Sequence, residues 1–281
     1  MKGYPIVRAC WYLANIILAV SIGLVLFSSG WEFSTRSYLN GFSDAIVPLT
    51  DSSEQKVDAI LLWMKNGPAR RSTLNPEGLA ARNPEDTLNY KQLLEVCGTA
   101  SNAFVNLAQS SGFRARRLLL LDENQRSKHV VVEVLVDSRW IVVDPAYHAV
   151  IRLSDGRPAT REELRNPEIF RAATQTIPHY PSIYSYESTA HVRLARIPLV
   201  GRSLRRALNF VWPSWEESIN WTLFLERESF AALMISIFLL CFALALRLIL
   251  GWYCSRKLGI ARVRLRDQLA RAGEVLVSDP K

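Results

Sequence analysis

The chain has 281 residues, of which 49% are hydrophobic, and it carries a formal charge of +8. This length suits one or two globular domains, and the hydrophobic fraction lies at the upper end of ordinary soluble usage. The basic excess falls at the two ends of the chain, while residues 30–228 are close to neutral. The charge therefore gives no reason to expect a nucleic-acid partner, because such proteins cluster basic residues on one face of the folded domain.

Two apolar stretches, residues 9–31 and 230–253, account for the hydrophobic excess. Each supplies about 20 mainly apolar residues, the length that crosses a bilayer core as a helix. Trp31 and Trp252 lie at their ends, where aromatic rings suit the membrane–water interface. We interpret both as transmembrane helices. The alternatives are a cleaved signal peptide and a buried core helix, but "FSSGW" is a poor cleavage site, and the second stretch is long and apolar for a core helix.

The basic flanks predict how these helices are oriented. Cytoplasmic segments carry an excess of Lys and Arg, so both termini are expected in the cytoplasm and the middle of the chain on the periplasmic side of the plasma (inner) membrane. The basic C-terminal tail has apolar residues at helical spacing and is expected to contact membrane lipid. The predicted organisation is an N-terminus at 1–8, a transmembrane helix at 9–31, an extracytoplasmic domain at 32–229 with its core near 51–150, a transmembrane helix at 230–253 and a tail at 254–281.

The beginning of the middle region is predicted to be irregular apart from one helix. Residues 32–50 are mixed and turn-rich, and residues 67–90 are punctuated by Pro, Gly and Asn, so both are expected to be loops. Between them, Asp51 and Glu54 form an acidic version of a capping box at the start of a helix. The apolar residues of this helix recur at the spacing of one face: Val57, Ile60, Leu61 and Met64.

A second helix, rich in small residues, is predicted just after Cys97. Gly112 stands at the position that follows a helix end. Residues 114–121 favour a strand, and residues 129–144 alternate on both sides of a central turn as a hairpin does. The remaining expectations are a buried helix stripe of Ala100, Ala103, Phe104, Leu107 and Ala108, a third strand and turn over 147–157, and a short helix at 160–164 with a Thr160/Glu163 capping box.

The hairpin register decides which side chains share a face of the sheet. With the turn centred on residues 137–138, the numbers of opposed residues sum to 275. One face then carries an apolar set that suits packing against the Cys97 helix, and the other face carries His129 and Asp144 one diagonal step apart. Diagonal neighbours lie about 7–8 Å apart at Cα, within reach of polar side chains. The apolar set is Val130, Val132, Val134, Val136, Ile141 and Val143.

Residues 166–228 contain a concentration of aromatic residues broken by prolines. Two interpretations stay open for this segment. It is either a loop-rich packing layer that ends at the bilayer surface, or the wall of a substrate groove. The aromatic residues concerned are Tyr180, Tyr184, Tyr186, Trp212, Trp215 and Trp221.

Cys97 is the one cysteine of the middle region, so a disulfide within that region is excluded. A thiol at a helix N-terminus is favoured as the thiolate, and a histidine paired with a carboxylate has its orientation fixed. Cys97, His129 and Asp144 in adjacent elements therefore suggest an activated nucleophile. Taken singly, each has a structural alternative: a small buried hydrophobe, a core histidine and a turn residue.

The segments "CGTASNAFVNLAQSSGFRARR" and "HVVVEVLVDSRWIVVDP" resemble the transglutaminase-like superfamily of papain-type thiol enzymes. The residues that match its motifs are Cys97, Gly112, Arg114 or Arg116, His129, Glu133, Val134, Trp140, Asp144 and Pro145. The resemblance implies an α+β fold in which a Cys-bearing helix packs on an antiparallel sheet. It also implies that Cys97, His129 and Asp144 are the catalytic residues.

The function that this resemblance implies is thiol-dependent acyl transfer. We expect a membrane-tethered peptide or amide hydrolase that acts on a protein or peptide of the cell envelope. An amine-accepting, cross-linking enzyme is one alternative. An inactive binding or assembly module is another, because Glu95 stands where many relatives have Gly. No metal or cofactor is expected, since the chain has neither zinc-ligand spacing nor a Gly-rich phosphate loop. The oligomeric state stays open.

Overall fold

The computed structural model describes residues 5–49, 52–67, 79–192, 201–213, 215–218 and 221–257. The chain divides into two compact units, one from Trp31 to Ala231 and one made by the chain before and after it. The helices are α1 (Pro5–Ile46), α2 (Ser53–Asn66), α3 (Pro84–Asn89), α4 (Lys91–Leu94), α5 (Cys97–Ser110), α6 (Arg161–Leu164), α7 (Pro167–Thr174), α8 (Gly201–Val211), α9 (Trp215–Ser218), α10 (Trp221–Glu226) and α11 (Glu228–Arg256). The strands are β1 (Arg114–Leu121), β2 (Ser127–Val136), β3 (Arg139–Asp144), β4 (Ala149–Val150) and β5 (Thr189–Ala190).

Two of the described helices, α1 and α11, are long and apolar enough to cross a membrane. Their most apolar stretches have mean hydropathies of 2.2 and 2.7. These helices contain the two segments predicted as transmembrane helices from the sequence, residues 9–31 and 230–253. Most of the predicted tail at 254–281 lies outside the described residues.

The prediction that residues 32–50 are irregular is wrong, because α1 continues to Ile46. Hydropathy falls after Trp31, but the polar residues that follow are compatible with a helix, and Arg36 pairs with Glu32 one turn away at 3.0 Å. Leu39 is completely buried in the main hydrophobic core, and Phe42 packs against the same core. The last turns of α1 are therefore an amphipathic helix of the domain that starts at Trp31.

The described part of the domain contains one five-stranded antiparallel sheet in the order β4-β3-β2-β1-β5. The hairpin register matches the prediction, with Val132 opposite Val143 and Val134 opposite Ile141. The turn residues Asp137 and Ser138 both have positive φ, at 45° and 69°, as a two-residue hairpin turn requires. The predicted third strand is shortened to the two residues of β4.

Helix α5 packs against one face of this sheet. Its predicted stripe is buried together with residues of α2 and with the predicted apolar face of the hairpin, except Val130, which belongs to a separate small cluster beside Cys97. The helix ends before Gly112, whose φ of +86° is a conformation that glycine adopts without strain. The opposite face of the sheet carries a second core with Val131, Val142 and Phe170. The predicted α+β architecture, a Cys-bearing helix on an antiparallel sheet, is thus confirmed.

Two local predictions need correction. The capping box of α2 is formed by Ser52 and Gln55, one residue later than predicted for Asp51 and Glu54. Ser52 supplies the hydroxyl for the backbone N–H of Gln55, and Glu54 instead pairs with Arg152 at 3.0 Å. The predicted loop over 67–90 contains α3, which starts with an Asn83 cap and proline at its first turn, a combination that favours helix initiation.

The segment around α10 forms hydrogen bonds and an ion pair with α5 and β1. The backbone N–H of Arg117 donates to the Thr222 hydroxyl at 2.9 Å, and the Arg117 guanidinium forms an ion pair with Glu226. The Asn102 amide, on α5, donates to the carbonyl oxygen of Glu226 at 3.0 Å and to that of Ala81 at 2.9 Å. These contacts hold the segment around α10 against both α5 and β1.

Candidate active site

Cys97 is the first residue of α5. The first N–H groups of a helix have no intrahelical acceptor, so they face whatever lies at its N-terminus. The thiol is half-buried and packs against a small apolar cluster that includes Leu119 and Val130. Ser101, one turn later, donates its hydroxyl to the carbonyl oxygen of Val130 at 3.2 Å. The start of α5 is thereby held against β2 immediately after His129.

His129 lies between a thiol and a carboxylate. Its Nε2 donates to Asp144 Oδ2 at 2.7 Å, and its side chain also forms a hydrogen bond with Cys97. Because Nε2 is used by Asp144, Nδ1 is the ring nitrogen that faces the thiol. His129 is 2% exposed and Asp144 is 0% exposed. The three side chains selected from the sequence therefore form one continuous hydrogen-bonded row.

The backbone explains how these residues meet. Asp144 ends β3, and the backbone N–H of Ala146 donates to its Oδ1 at 3.2 Å. His129 lies opposite Leu120, but the register between β1 and β2 shifts at the next pair, where Leu121 faces Ser127. An irregularity of this kind re-aims side chains at the end of a strand. The sequence predicted the proximity of His129 and Asp144, but not this shift.

The electrostatics favour an ion pair between the thiol and the imidazole. The hydrogen bond from His129 lowers the pKa of Cys97, against the raising effect of partial burial. Burial lowers the pKa of His129, but hydrogen bonds with Asp144 and Cys97 outweigh it and raise this pKa to about 9. Both shifts favour a thiolate beside an imidazolium, which is the reactive state of a cysteine nucleophile.

Positive charge also lies beside the thiol on the β1 side. Burial lowers the pKa of Arg117 to about 10, while the charge of Cys97 acts in the opposite direction. Arg117 is nevertheless cationic at neutral pH. Its ion pair with Glu226 neutralises part of that charge, and the remaining field adds to the stabilisation of a thiolate.

Three tyrosines surround His129, a contact that was not predicted from the sequence, although a substrate groove was left open for Tyr180 and Tyr184. The ring of Tyr184 stacks on the imidazole with centroids 4.3 Å apart and planes 4° apart. Tyr147 and Tyr180 approach the imidazole edge-on at 5.9 Å and 6.5 Å. The Tyr180 hydroxyl donates to Asp144 Oδ2 at 2.9 Å. The aromatic concentration after residue 166 was the available signal, but it gave no spacing that linked it to His129.

The other aromatic residues of that segment take different positions. Tyr186 is almost completely buried in the second core beside Phe170. Trp215 is completely buried and packs edge-on against Trp221, whereas Trp212 is 43% exposed. The segment therefore contains both a packing layer and residues that contact the site.

Other polar residues near Cys97 in the sequence or near β2 bind partners outside this row. Glu95 is exposed and pairs with Lys91 at 3.9 Å. The Asn89 amide donates to Tyr38 and to the backbone of Glu85. His191 donates to the buried Glu133 at 2.8 Å. Among the described residues, no group of three or more His, Cys, Asp or Glu side chains could hold a metal ion.

The Glu133 carboxylate is the centre of a second buried charge cluster. Arg116 Nε donates to it at 2.8 Å, and Arg161 lies 3.8 Å away. Burial raises the pKa of Glu133, but the hydrogen bond from His191 and the two guanidinium groups hold it below its ordinary range. Because this cluster pairs every charge that it buries, we interpret it as a structural brace of β2.

Comparison with protein families gives an assignment that agrees with this geometry. The model of the transglutaminase-like superfamily matches residues 41–145. No curated protein and no solved structure matches the chain. The matched range begins in the last turns of α1 and ends one residue after Asp144, so it contains Cys97, His129 and Asp144. Residues 41–145 are thus a transglutaminase-like superfamily domain.

Proposed function

We propose that this protein is a thiol-dependent acyl-transfer enzyme in which Cys97 is the nucleophile, His129 the general acid and base, and Asp144 the residue that orients His129. The observation that carries the proposal is the buried row in which Asp144 binds His129 at 2.7 Å and His129 binds Cys97. The lowered pKa of Cys97 and the raised pKa of His129 support it. A structural thiol in an apolar setting has the opposite pKa shift.

The proposed reaction starts from the thiolate–imidazolium pair. The Cys97 sulfur attacks the carbonyl carbon of an amide, and the electron pair of the carbonyl bond moves to its oxygen. The backbone N–H of Cys97, at the open end of α5, is a suitable donor to this oxyanion. As the C–N bond breaks, His129 gives its proton to the leaving amine, and a thioester remains on Cys97.

The second half of the reaction releases the acyl group. Neutral His129 takes a proton from water, which attacks the thioester, and the thiolate leaves beside the regenerated imidazolium. Asp144 stabilises the imidazolium in both halves, because its carboxylate accepts a hydrogen bond from the Nε2–H group. We favour water over an amine as the acceptor, so the proposed activity is peptide or amide hydrolysis.

The proposed substrate class is a protein or peptide of the cell envelope. This part of the proposal rests on the two helices that could span a membrane and on the basic flanks of the chain. We propose that both termini are cytoplasmic and that the domain from about residue 32 to 229 faces the periplasm. Reporter fusions after Leu49 and after Lys281 are expected to report opposite sides. The same side for both would contradict this topology.

A labelling experiment tests the activity. The full chain in detergent is incubated with an envelope-peptide library, with and without prior alkylation of Cys97 by iodoacetamide, and new amines and cross-linked products are measured. Loss of hydrolysis after alkylation supports the proposal. Amine incorporation without hydrolysis would make the protein a cross-linking enzyme. Peptide binding without either product, insensitive to alkylation, would make it an inactive binding module.

A further inference from the structure

We infer that Tyr184 is a positioning residue for His129, acting through the plane of the imidazole. This inference rests on the proposed function, since it concerns the same site. Tyr184 lies outside the range that matches the transglutaminase-like superfamily. It belongs to the irregular chain between α7 and β5, so it is an addition to the row of Cys97, His129 and Asp144 rather than a part of the family motif.

The stacking geometry is the first observation. The rings of Tyr184 and His129 are 4 degrees from parallel with centroids 4.3 Å apart. A flat ring at this distance prevents the imidazole from rotating about its Cβ–Cγ bond, and only a correctly rotated ring presents Nε2 to Asp144 and Nδ1 to Cys97 together. The electron-rich face of a tyrosine also attracts a cation, so Tyr184 favours the imidazolium over the neutral ring.

The surroundings of Tyr184 are the second observation. Its ring is partly covered, and burial together with a hydrogen bond to the Tyr147 side chain raises its own pKa to about 12. Tyr184 is therefore neutral at working pH and contributes a ring face without a competing charge. The titratable groups that face His129 are Cys97 from α5, Asp144 from β3 and the three tyrosines.

Tyr180 differs from Tyr184, because it contacts Asp144 through its hydroxyl group. Its hydroxyl donates to the same Asp144 oxygen that accepts from His129. Burial raises the pKa of Tyr180 far above the ordinary value, so this hydroxyl stays protonated and remains a donor. Removal of the Tyr180 hydroxyl leaves Asp144 a stronger acceptor for His129, whereas removal of the Tyr184 ring leaves the imidazolium less stabilised.

The test uses the full chain in detergent and measures the rate of iodoacetamide reaction at Cys97 from about pH 5 to about pH 10, quantified on the peptide that contains Cys97. Tyr184→Leu is expected to raise the pH of half-maximal alkylation by about one unit, because a less stable imidazolium stabilises the thiolate less. Tyr184→Phe keeps the ring and is expected to match the unchanged protein. Tyr180→Phe is expected to leave the half-maximal pH unchanged or to lower it.

The melting temperature of each variant is recorded in parallel. A lower melting temperature of Tyr184→Leu with an unchanged half-maximal pH would make Tyr184 a packing residue and overturn the inference. If Tyr184→Leu does not fold, Tyr184→Met provides a second non-aromatic side chain for the same measurement. The assay needs no substrate, so a pH shift without any hydrolysis would support the positioning role while contradicting the proposed function. Hydrolysis without a pH shift would support the proposed function while contradicting the positioning role of Tyr184.

Discussion

The segment that matches the transglutaminase-like superfamily and the segment that follows it contribute to the site in different ways. Residues 41–145 supply the proposed nucleophile Cys97, the histidine and the carboxylate from regular elements: α5, β2 and β3. Residues 147–184 supply three tyrosine rings from turns and irregular chain. Regular elements place polar atoms through backbone periodicity, whereas the irregular segment places rings through packing. The row of Cys97, His129 and Asp144 and the rings that surround its histidine thus come from different parts of the chain.

The largest expected effect on activity comes from removing the charge of Asp144, the carboxylate that the matched segment supplies. In triads, replacing the orienting carboxylate by the amide reduces turnover by about 10⁴-fold while the geometry survives. Asp144→Asn is expected to lower kcat/KM for the hydrolysed peptide by about this factor. It should change the free energy of unfolding by only about 1 kcal/mol. Asp155→Asn, at an exposed turn, is the matched control and should retain full activity.

The outcome that would contradict this prediction is a large fall in melting temperature with unchanged Cys97 alkylation. Asp144 would then be a structural turn residue, and its role in the reaction would have to be withdrawn.

A second variant tests whether contacts outside the matched segment affect stability without affecting the reactivity of Cys97. Glu32 and Arg227 form a buried ion pair at 2.9 Å, and the Ser229 hydroxyl donates to Glu32 at 2.8 Å. Removing one partner of such a pair leaves a buried charge and costs about 3–5 kcal/mol. Glu32→Gln is expected to lower the melting temperature of the full chain in detergent strongly. The rate of Cys97 alkylation in the folded fraction should stay within about twofold. A loss of Cys97 reactivity in the folded fraction would show that this ion pair also influences the site.

The pH dependence of hydrolysis tests the protonation states of Cys97 and His129. The proposed general acid is the His129 imidazolium, whose pKa is raised to about 9. We expect kcat/KM to fall about tenfold for each pH unit above 9 as this proton is lost. It should also fall on the acid side as the thiolate is protonated. The two limbs belong to the coupled pair rather than to single residues. An upper limb near the ordinary histidine pKa would mean that Asp144 and Cys97 do not stabilise the imidazolium.

The smallest expected effect concerns the cap of α2, which lies in the matched range. Ser52→Ala removes the hydroxyl that accepts from the N–H of Gln55 and is expected to lower the free energy of unfolding by about 1 kcal/mol. Asp51→Ala tests the cap that sequence alone favoured. A larger loss of stability for Asp51→Ala than for Ser52→Ala would restore that earlier register.

The fold of the matched range was largely predictable because its signals are periodic. Val132 and Val143 face each other as the alternation of the hairpin requires, and the same register brings His129 to Asp144. The Cys97 helix was recognisable from its small apolar stripe. A two-residue period leaves little freedom, since a shift of one residue would expose the whole valine face.

The remaining features could not be predicted because nothing periodic encodes them. Tyr184 reaches His129 from irregular chain, where the backbone path depends on tertiary packing. The continuation of α1 past Trp31 was missed because mean hydropathy detects membrane-spanning stretches but not an amphipathic helix end. The burial of Leu39, which shows that this end packs in the domain, is visible only in the structure. Ser52 and Asp51 are adjacent and both residue types suit an N-cap, so the choice of Asp51 over Ser52 could not be decided by residue type.

The ion pair between Cys97 and His129 has a consequence for proton-linked stability. In the unfolded chain, between about pH 6.5 and 9, the thiol holds a proton and the imidazole does not. In the folded chain, the lowered pKa of Cys97 and the raised pKa of His129 shift this proton towards the imidazole. Taken alone, the raised pKa of His129 makes folding less favourable as pH rises through this window, and the lowered pKa of Cys97 makes it more favourable. The two slopes have opposite signs, so they offset each other. The pairing that favours the thiolate therefore makes the domain's folding depend less on proton concentration than either pKa shift alone would.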